Sequence, residues 1–363
     1  MTIVANVAVL PADSNSLRIE EISIPDPGPH QVVVRLHSSG ICHSQLHTIH
    51  APRETEQLLG HEATGTVVST GNAVTDLNDG DTVVISWVPR ENAMGGRRFD
   101  GVTLPTSQGE AKAPEVFTWA DTTIVDEQFV VKVATDAPRD VSCIIGCAVM
   151  TGAGAVVNSV DIDAGDSVVV IGAGGVGLCA IAAARQVGAD PIIAVDLEDN
   201  KLALAKSFGA THGINGAREH VVKAVHKLTG RDAGFTYLGA PISGADYVFD
   251  CIGLPETMNQ AVSACRKGEF GIGKGGTAVL VGLPTGRVEF NPMDLIVSEK
   301  SLIGSFCGSC KPGTDIPKFL EWHLDGRLDL NALVTRRYRL DQINEAVADL
   351  EAGRIEGRGI IEF

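Results

Sequence analysis

The chain has 363 residues, 44 % apolar and 20 % charged, with a formal net charge of −16. That length predicts about two domains with cores of ordinary size, and the composition excludes a disordered or fibrous chain. The acidity, with no basic block, excludes nucleic acid as a partner; an anionic cofactor needs locally placed cations or backbone N–H groups.

The opening MTIVANVAVLPADS is apolar but lacks a cationic start and a cleavage-like continuation, so it is read as a first strand, not a signal peptide. Over residues 1–150, the short β-branched runs VVVRLHSSGI, ATGTVVSTG and DTVVISW are separated by Gly, Asn and Asp turns. They predict a compact, barrel-like β unit. Residues 88–115 show no clear pattern and are read as an exposed loop. From Asp166 the texture changes. DSVVVIG, PIIAVD, YVFDCIG and GGTAVLVGLP alternate with the helical patterns VGLCAIAAARQVGA and KLALAKSFGA. This alternation predicts a parallel sheet with helices on both faces. Residues 167–184 carry no charge and qualify as a membrane span by hydropathy alone. Their glycines, their β-branched first part and the flanking Asp166 and Arg185 predict instead a buried strand, a tight turn and a buried helix. After about residue 305, IPKFLEWHLDGRL and LDQINEAVADLEAGR are amphipathic and helical, and a short last strand, GIIEF, follows. The eight cysteines follow no small-scaffold spacing, which predicts a reduced, cytoplasmic protein without a membrane association.

GAGGVG, residues 172–177, follows a strong strand and precedes a helix. Gly172 permits the tight turn, Gly174 lets backbone approach a pyrophosphate, and Gly177 allows close packing of helix on strand. The helix N-terminus, opening at Gly175 and Val176, offers N–H groups to the phosphates. Asp196 lies nineteen residues after Gly177, at the end of the second strand of this unit. A carboxylate there accepts hydrogen bonds from ribose hydroxyls and repels a 2′-phosphate, which favours NAD over NADP. Lys201 is a further candidate for the adenosine ribose, or else a solvated charge at a helix start.

GICHSQLH, residues 40–47, places a cysteine, two histidines and a serine close together. LLGHEATG adds His61 and Glu62, and IIGCAVMTGAGA adds Cys147. Cys42, His61 and Cys147 together offer two thiolates and one imidazole, a donor set of suitable softness for zinc that leaves a fourth position open. Their spacing alone is a weak signal, since no CxxC pair joins them.

With GICHSQLH, GHE, GCAVMTG, GAGGVG and its Asp, DCIG and EGRGIIEF in this order, the chain resembles the zinc-dependent medium-chain alcohol dehydrogenases almost end to end. The resemblance implies an α/β protein: a GroES-like β-rich catalytic domain, residues 1–151 completed by 306–363, and a Rossmann doubly wound parallel sheet, residues 152–305. It implies one catalytic zinc held by Cys42, His61 and Cys147, with Glu62 beside it as a transient ligand. Ser44 is implied to hydrogen-bond the substrate oxygen, and His47 to pass its proton towards solvent. His43 and Arg358 are implied contacts of the cofactor pyrophosphate, Thr151 of the nicotinamide, and Val281 of the cofactor as well. Trp87 falls where the family places a wall of the substrate pocket. Arg358 has a second reading, as the ion-pair partner of an acid such as Glu62. The implied reaction is reversible hydride transfer between a small alcohol and NAD+, in a homo-oligomer, dimer or tetramer.

The chain departs from the family in two places. Many relatives bind a structural zinc through four clustered cysteines after the strand around Trp87, and residues 88–115 contain no cysteine, so one zinc per chain is expected. Gln45 stands where the family usually has an acid that supports a metal-binding histidine. Its carbonyl oxygen can accept the imidazole N–H, but without charge. Cys307 and Cys310 form a CxxC with no partner pair and are read as structural. A zinc-free quinone or enoyl reductase of the same superfamily, and a dinucleotide-binding protein without turnover, are the competing readings. Both cysteines and the GHE histidine argue against the first, and Ser44 and His47 beside the ligands argue against the second.

Overall fold

Gln31–Ile41 is the central strand of the first unit. In the computed structural model, residues 3–90, 98–99, 101–230, 234–271 and 273–363 are described. They form two units, Met1–Ala148 with Lys311–Phe363, and Val149–Cys310. In the first unit a seven-stranded sheet runs in the order Val130–Lys132, Thr82–Ser86, Glu62–Thr70, Gln31–Ile41, Arg358–Glu362, Val334–Arg339, with Thr122–Asp126 also paired to Gln31–Ile41. The late strand Arg358–Glu362 pairs antiparallel with Ser38–Ile41, setting Gly359 opposite Ile41.

A five-stranded sheet accompanies it, in the order Arg18–Ile24, Ile3–Leu10, Glu56–Leu58, Gly109–Ala113, Val102–Thr106. Its last two strands correct the expectation of a loop over 88–115, because they form an antiparallel hairpin. Only Val102 and Leu104 on one strand and Ala111 and Ala113 on the other turn inward. Pro105 and the charged residues between them hide so short an alternation. Residues 91–97 and 100 of that stretch lie outside the described residues.

The second unit is a six-stranded parallel sheet. Its strands Val168–Ile171, Ile192–Asp196, His212–Asn215, Tyr247–Asp250, Thr277–Leu280 and Ser301–Gly304, numbered one to six, stand in the spatial order 3-2-1-4-5-6. This is the Rossmann order. Every residue of Val168–Ile171 is buried, as expected of a central parallel strand covered on both faces, which reads as an unbroken apolar run. The uncharged stretch 167–184 is this strand, a turn and the helix Gly175–Gln186. Among the described residues no helix is long and apolar enough to cross a membrane.

Candidate functional site

Cys42, His61 and Cys147 each sit at the edge of a regular element in the first unit. Cys42 follows the strand Gln31–Ile41 directly. His61 immediately precedes the strand that begins at Glu62. Cys147 falls between the 3-10 helix Val141–Gly146 and the helix Ala148–Asn158. Rigid strands thus aim short connecting segments at one point.

Tetrahedral zinc, with Zn–S about 2.3 Å and Zn–N about 2.0–2.1 Å, sets two sulfurs about 3.8 Å apart and a nitrogen and a sulfur about 3.6 Å apart. The Sγ atoms of Cys42 and Cys147 are 3.9 Å apart, and His61 Nε2 is 3.3 Å from Cys147 Sγ. All three donor atoms lie within 4.8 Å of one another, and this is the one such group among the described residues. The donor set therefore fits zinc in both softness and spacing. The two thiols are hydrogen-bonded to each other. The hydrogen bond from Cys147 holds Cys42 well below the ordinary thiol range, against burial and aided by Arg358 and His61. The same bond, with burial, pushes Cys147 well up. Binding a metal through both sulfurs would release thiol protons.

The surroundings are polar and largely paired. Ser44 donates to Cys42 Sγ at 3.2 Å. It opens the helix Ser44–His50, whose exposed His47 lies three residues on and hence on the same face. His43, also exposed, stands just before that helix, with no side-chain capping bond. Glu62 is fully buried. Its Oε1 accepts from Arg358 Nη2 at 2.5 Å and Nε at 3.2 Å, and its Oε2 accepts from the Ala148 N–H at 3.3 Å. Arg358 is thus paired with Glu62, the second of its two readings. Burial pushes the Glu62 carboxyl up, and Arg358 pulls it back. Trp87 presents its ring edge-on to His61, with centroids 6.3 Å apart. Gln45 differs from expectation. Its Oε1 accepts the Gly60 N–H at 2.8 Å, and its Nε2 faces His61 Nδ1 at 2.6 Å. Nothing in the sequence pairs Gln45 with Gly60.

In the second unit, the glycine-rich turn sits at the end of the first strand, where the strand order reverses between Val168–Ile171 and Tyr247–Asp250. Gly172 has φ +95°, and a Cβ on Gly177 would lie 1.8 Å from the Gly172 carbonyl oxygen. A Cβ on Gly174 meets nothing within 4 Å, so the space above it is open to a ligand. Gly175 and Val176 begin the helix Gly175–Gln186. Asp196 Oδ2 accepts the Ala173 N–H at 2.8 Å, and Oδ1 accepts from the amides of Leu197 and Glu198. The carboxylate is thereby fixed beside the turn. Lys201 pairs with Glu198 at 2.9 Å, the Val281 N–H donates to the Asp250 carbonyl, and Thr151 Oγ1 lies 3.9 Å from Cys307 Sγ. Cys307 is buried and Cys310 half-buried, and none of the eight cysteines forms a disulfide.

Two family models match the chain: an alcohol dehydrogenase GroES-like domain over residues 28–136, and a zinc-binding dehydrogenase over residues 175–325. The chain is 31 % identical to S-(hydroxymethyl)glutathione dehydrogenase of Paracoccus denitrificans, covering 93 % of this chain and 94 % of that one. It is 32 % identical to the protein of the same name from Komagataella pastoris, covering 93 % and 92 %. Among solved structures, an alcohol dehydrogenase zinc-binding domain protein from Burkholderia ambifaria superposes over the whole of both chains with a TM-score of 0.86 at 32 % identity. Benzyl alcohol dehydrogenase from Acinetobacter calcoaceticus superposes over 99 % of both with a TM-score of 0.85 at 29 % identity. With both of its units matched and its likeness running nearly end to end, the chain belongs to the zinc-dependent medium-chain alcohol dehydrogenase family.

Proposed function

We propose that this family member interconverts small alcohols with aldehydes or ketones by hydride transfer to and from NAD, using one zinc per chain. The observation that carries the proposal is the Cys42–His61–Cys147 donor set at zinc spacing, with Ser44 against one of its sulfurs. Zinc, when held there, supplies a Lewis acid that polarises the substrate oxygen. NAD, when held on the glycine-rich turn, supplies the hydride acceptor.

The chain's own residues do the rest. Ser44, which donates to Cys42 Sγ, takes the proton of the alcohol. His47, one turn along the same helix and exposed, hands it to solvent. Arg358 neutralises Glu62, so the buried carboxylate adds no net negative charge beside the thiolates. Trp87 forms a wall next to His61 that suits a flat or aromatic alcohol. Val149–Cys310 serves as the cofactor domain and the remainder as the catalytic domain. Asp196, held by three backbone amides, presents its charge where a 2′-phosphate would lie, which supports NAD over NADP. The family resemblance supports a homo-oligomer.

Metal content by mass spectrometry, on protein purified without chelators, tests the core of this reading. About one zinc per chain, lost in Cys42→Ser, is expected. NADH formation should then appear across a panel of alcohols that includes benzyl alcohol. Absence of zinc from the wild type, with NAD(P)H still bound, would move the chain to the zinc-free reductases.

A further inference from the structure

Gln45 joins two ligand-bearing segments. It lies three residues past Cys42, and its side chain is buried. Its carboxamide reaches the segment that carries His61, with Oε1 accepting the Gly60 N–H at 2.8 Å and Nε2 donating to His61 Nδ1 at 2.6 Å. That segment is firmly placed. The Leu59 carbonyl accepts from the amides of both Thr118 and Trp119 at 3.0 Å. Gly60 has φ +89°, and a Cβ on it would come within 2.6 Å of the Trp119 nitrogen.

His61 turns Nε2 towards Cys147. A neutral imidazole that binds metal through Nε2 carries its hydrogen on Nδ1. Two donors then face Gln45, the Gly60 N–H and the His61 Nδ1–H. A carboxamide presents one acceptor and one donor to these positions. Whichever way it is turned, one of the two meets its NH2 group. A carboxylate in the same place accepts from both.

We infer that Gln45 is a positioning residue whose amide reverses when the metal is bound, moving Oε1 from Gly60 to His61 and leaving the buried Gly60 N–H without an acceptor. The metal is consequently held more weakly than by the same site with a carboxylate at 45. This inference rests on the zinc reading above.

The test is zinc affinity by chelator competition for wild type, Gln45→Glu, Gln45→Leu and Cys42→Ser, with Gly60 amide hydrogen exchange followed by NMR with and without zinc. Gln45→Glu should bind zinc about 10–100-fold more tightly than wild type, and Gln45→Leu less tightly, the range expected when a ligand's supporting partner is changed. Zinc should speed Gly60 exchange in the wild type and not in Gln45→Glu. A purely structural role for Gln45 would alter thermal stability alike with and without zinc, and leave affinity and Gly60 exchange unmoved. A folded Gln45→Glu that binds zinc no more tightly than wild type overturns the inference, as does wild-type Gly60 exchange that is indifferent to zinc. The exchange measurement decides alone if Gln45→Glu does not fold. Failure of the zinc reading itself has a different signature, a wild type without zinc or a Cys42→Ser that keeps it, and takes this inference with it.

Discussion

Arg358 and Glu62, 296 positions apart in the chain, form a buried ion pair directly beside the candidate metal ligand His61. Breaking a buried pair by removing one partner strands the other charge at a cost of about 3–5 kcal/mol. Arg358→Met should lose that much stability in urea unfolding, and Glu62→Gln added to it should recover most of the loss. Equal unfolding midpoints for the single and double variants would show that Glu62 is not stranded.

In the proposed function, Ser44 and the cysteines divide chemistry from metal binding. Ser44→Ala should keep the zinc content and thermal midpoint of wild type while kcat falls by about 10²-fold or more, the usual contribution of a proton-transferring group. Zinc quantification beside steady-state kinetics checks both halves. Loss of zinc in Ser44→Ala would reassign its hydroxyl to holding the Cys42 thiolate.

Gly174 and Gly177 are three residues apart and should fail differently. Gly177→Ala drives a Cβ into the Gly172 carbonyl and should cost stability by about 1–3 kcal/mol, as overpacking does. Gly174→Val has open space and an ordinary φ of −82°. It should fold normally and bind NADH about tenfold or more weakly, a loss of roughly 1.4 kcal/mol. Calorimetric unfolding and fluorescence titration with NADH separate the two outcomes.

Asp196 fixes the turn through the Ala173 N–H, and in the proposed function it also repels a 2′-phosphate. Asp196→Ala should therefore narrow the NAD-to-NADP ratio of kcat/KM by about tenfold or more, while KM for NAD itself rises. A ratio unchanged from wild type would remove Asp196 from cofactor discrimination.

His226 supplies a pH dependence of stability. Burial lowers its pKa; the hydrogen bond with the Ser263 carbonyl opposes this, and Lys300 and Lys267 add to the lowering. Its Nδ1 also meets Ser243 Oγ at 2.6 Å. Because the folded value lies below the unfolded one, the unfolded chain takes up the proton first as pH falls below about 6.5. Stability should thus be complete above neutrality and decline from about pH 6.5 downwards. His226→Gln should have a lower thermal midpoint at pH 8 and a flatter decline between pH 7 and pH 5. A wild-type slope retained in the variant would assign the decline to other groups.

The second unit was legible because its strands are apolar on both faces and its turn is rich in glycine. VVVI and IIAV carry the pattern without interruption. The hairpin over Val102–Ala113 was not, since two inward residues per strand are too few to stand out. The strand Val334–Arg339 was hidden too, because VTRRYR buries only Tyr338 fully and otherwise reads as a charged run. At the candidate metal site, the three donors lie 19 and 86 residues apart in the sequence, so only the family pattern joined them beforehand. The pairing of Gln45 with Gly60 had no sequence signal, because it depends on how a helix start and a glycine turn meet in space.

The strand that begins at Arg358 sits inside the first unit's sheet, not at its margin. A chain elongating at ~5–20 residues per second exposes Glu62 roughly 15–60 s before its counter-ion is synthesised. Through that wait the side of Ser38–Ile41 away from Glu62–Thr70 has no strand beside it, and the carboxylate of Glu62 must stay hydrated. All of Val149–Cys310 is made in the interval and can fold first. The Cys42–His61–Cys147 pocket therefore gains its buried Arg358–Glu62 ion pair only after Val149–Cys310 has been synthesised.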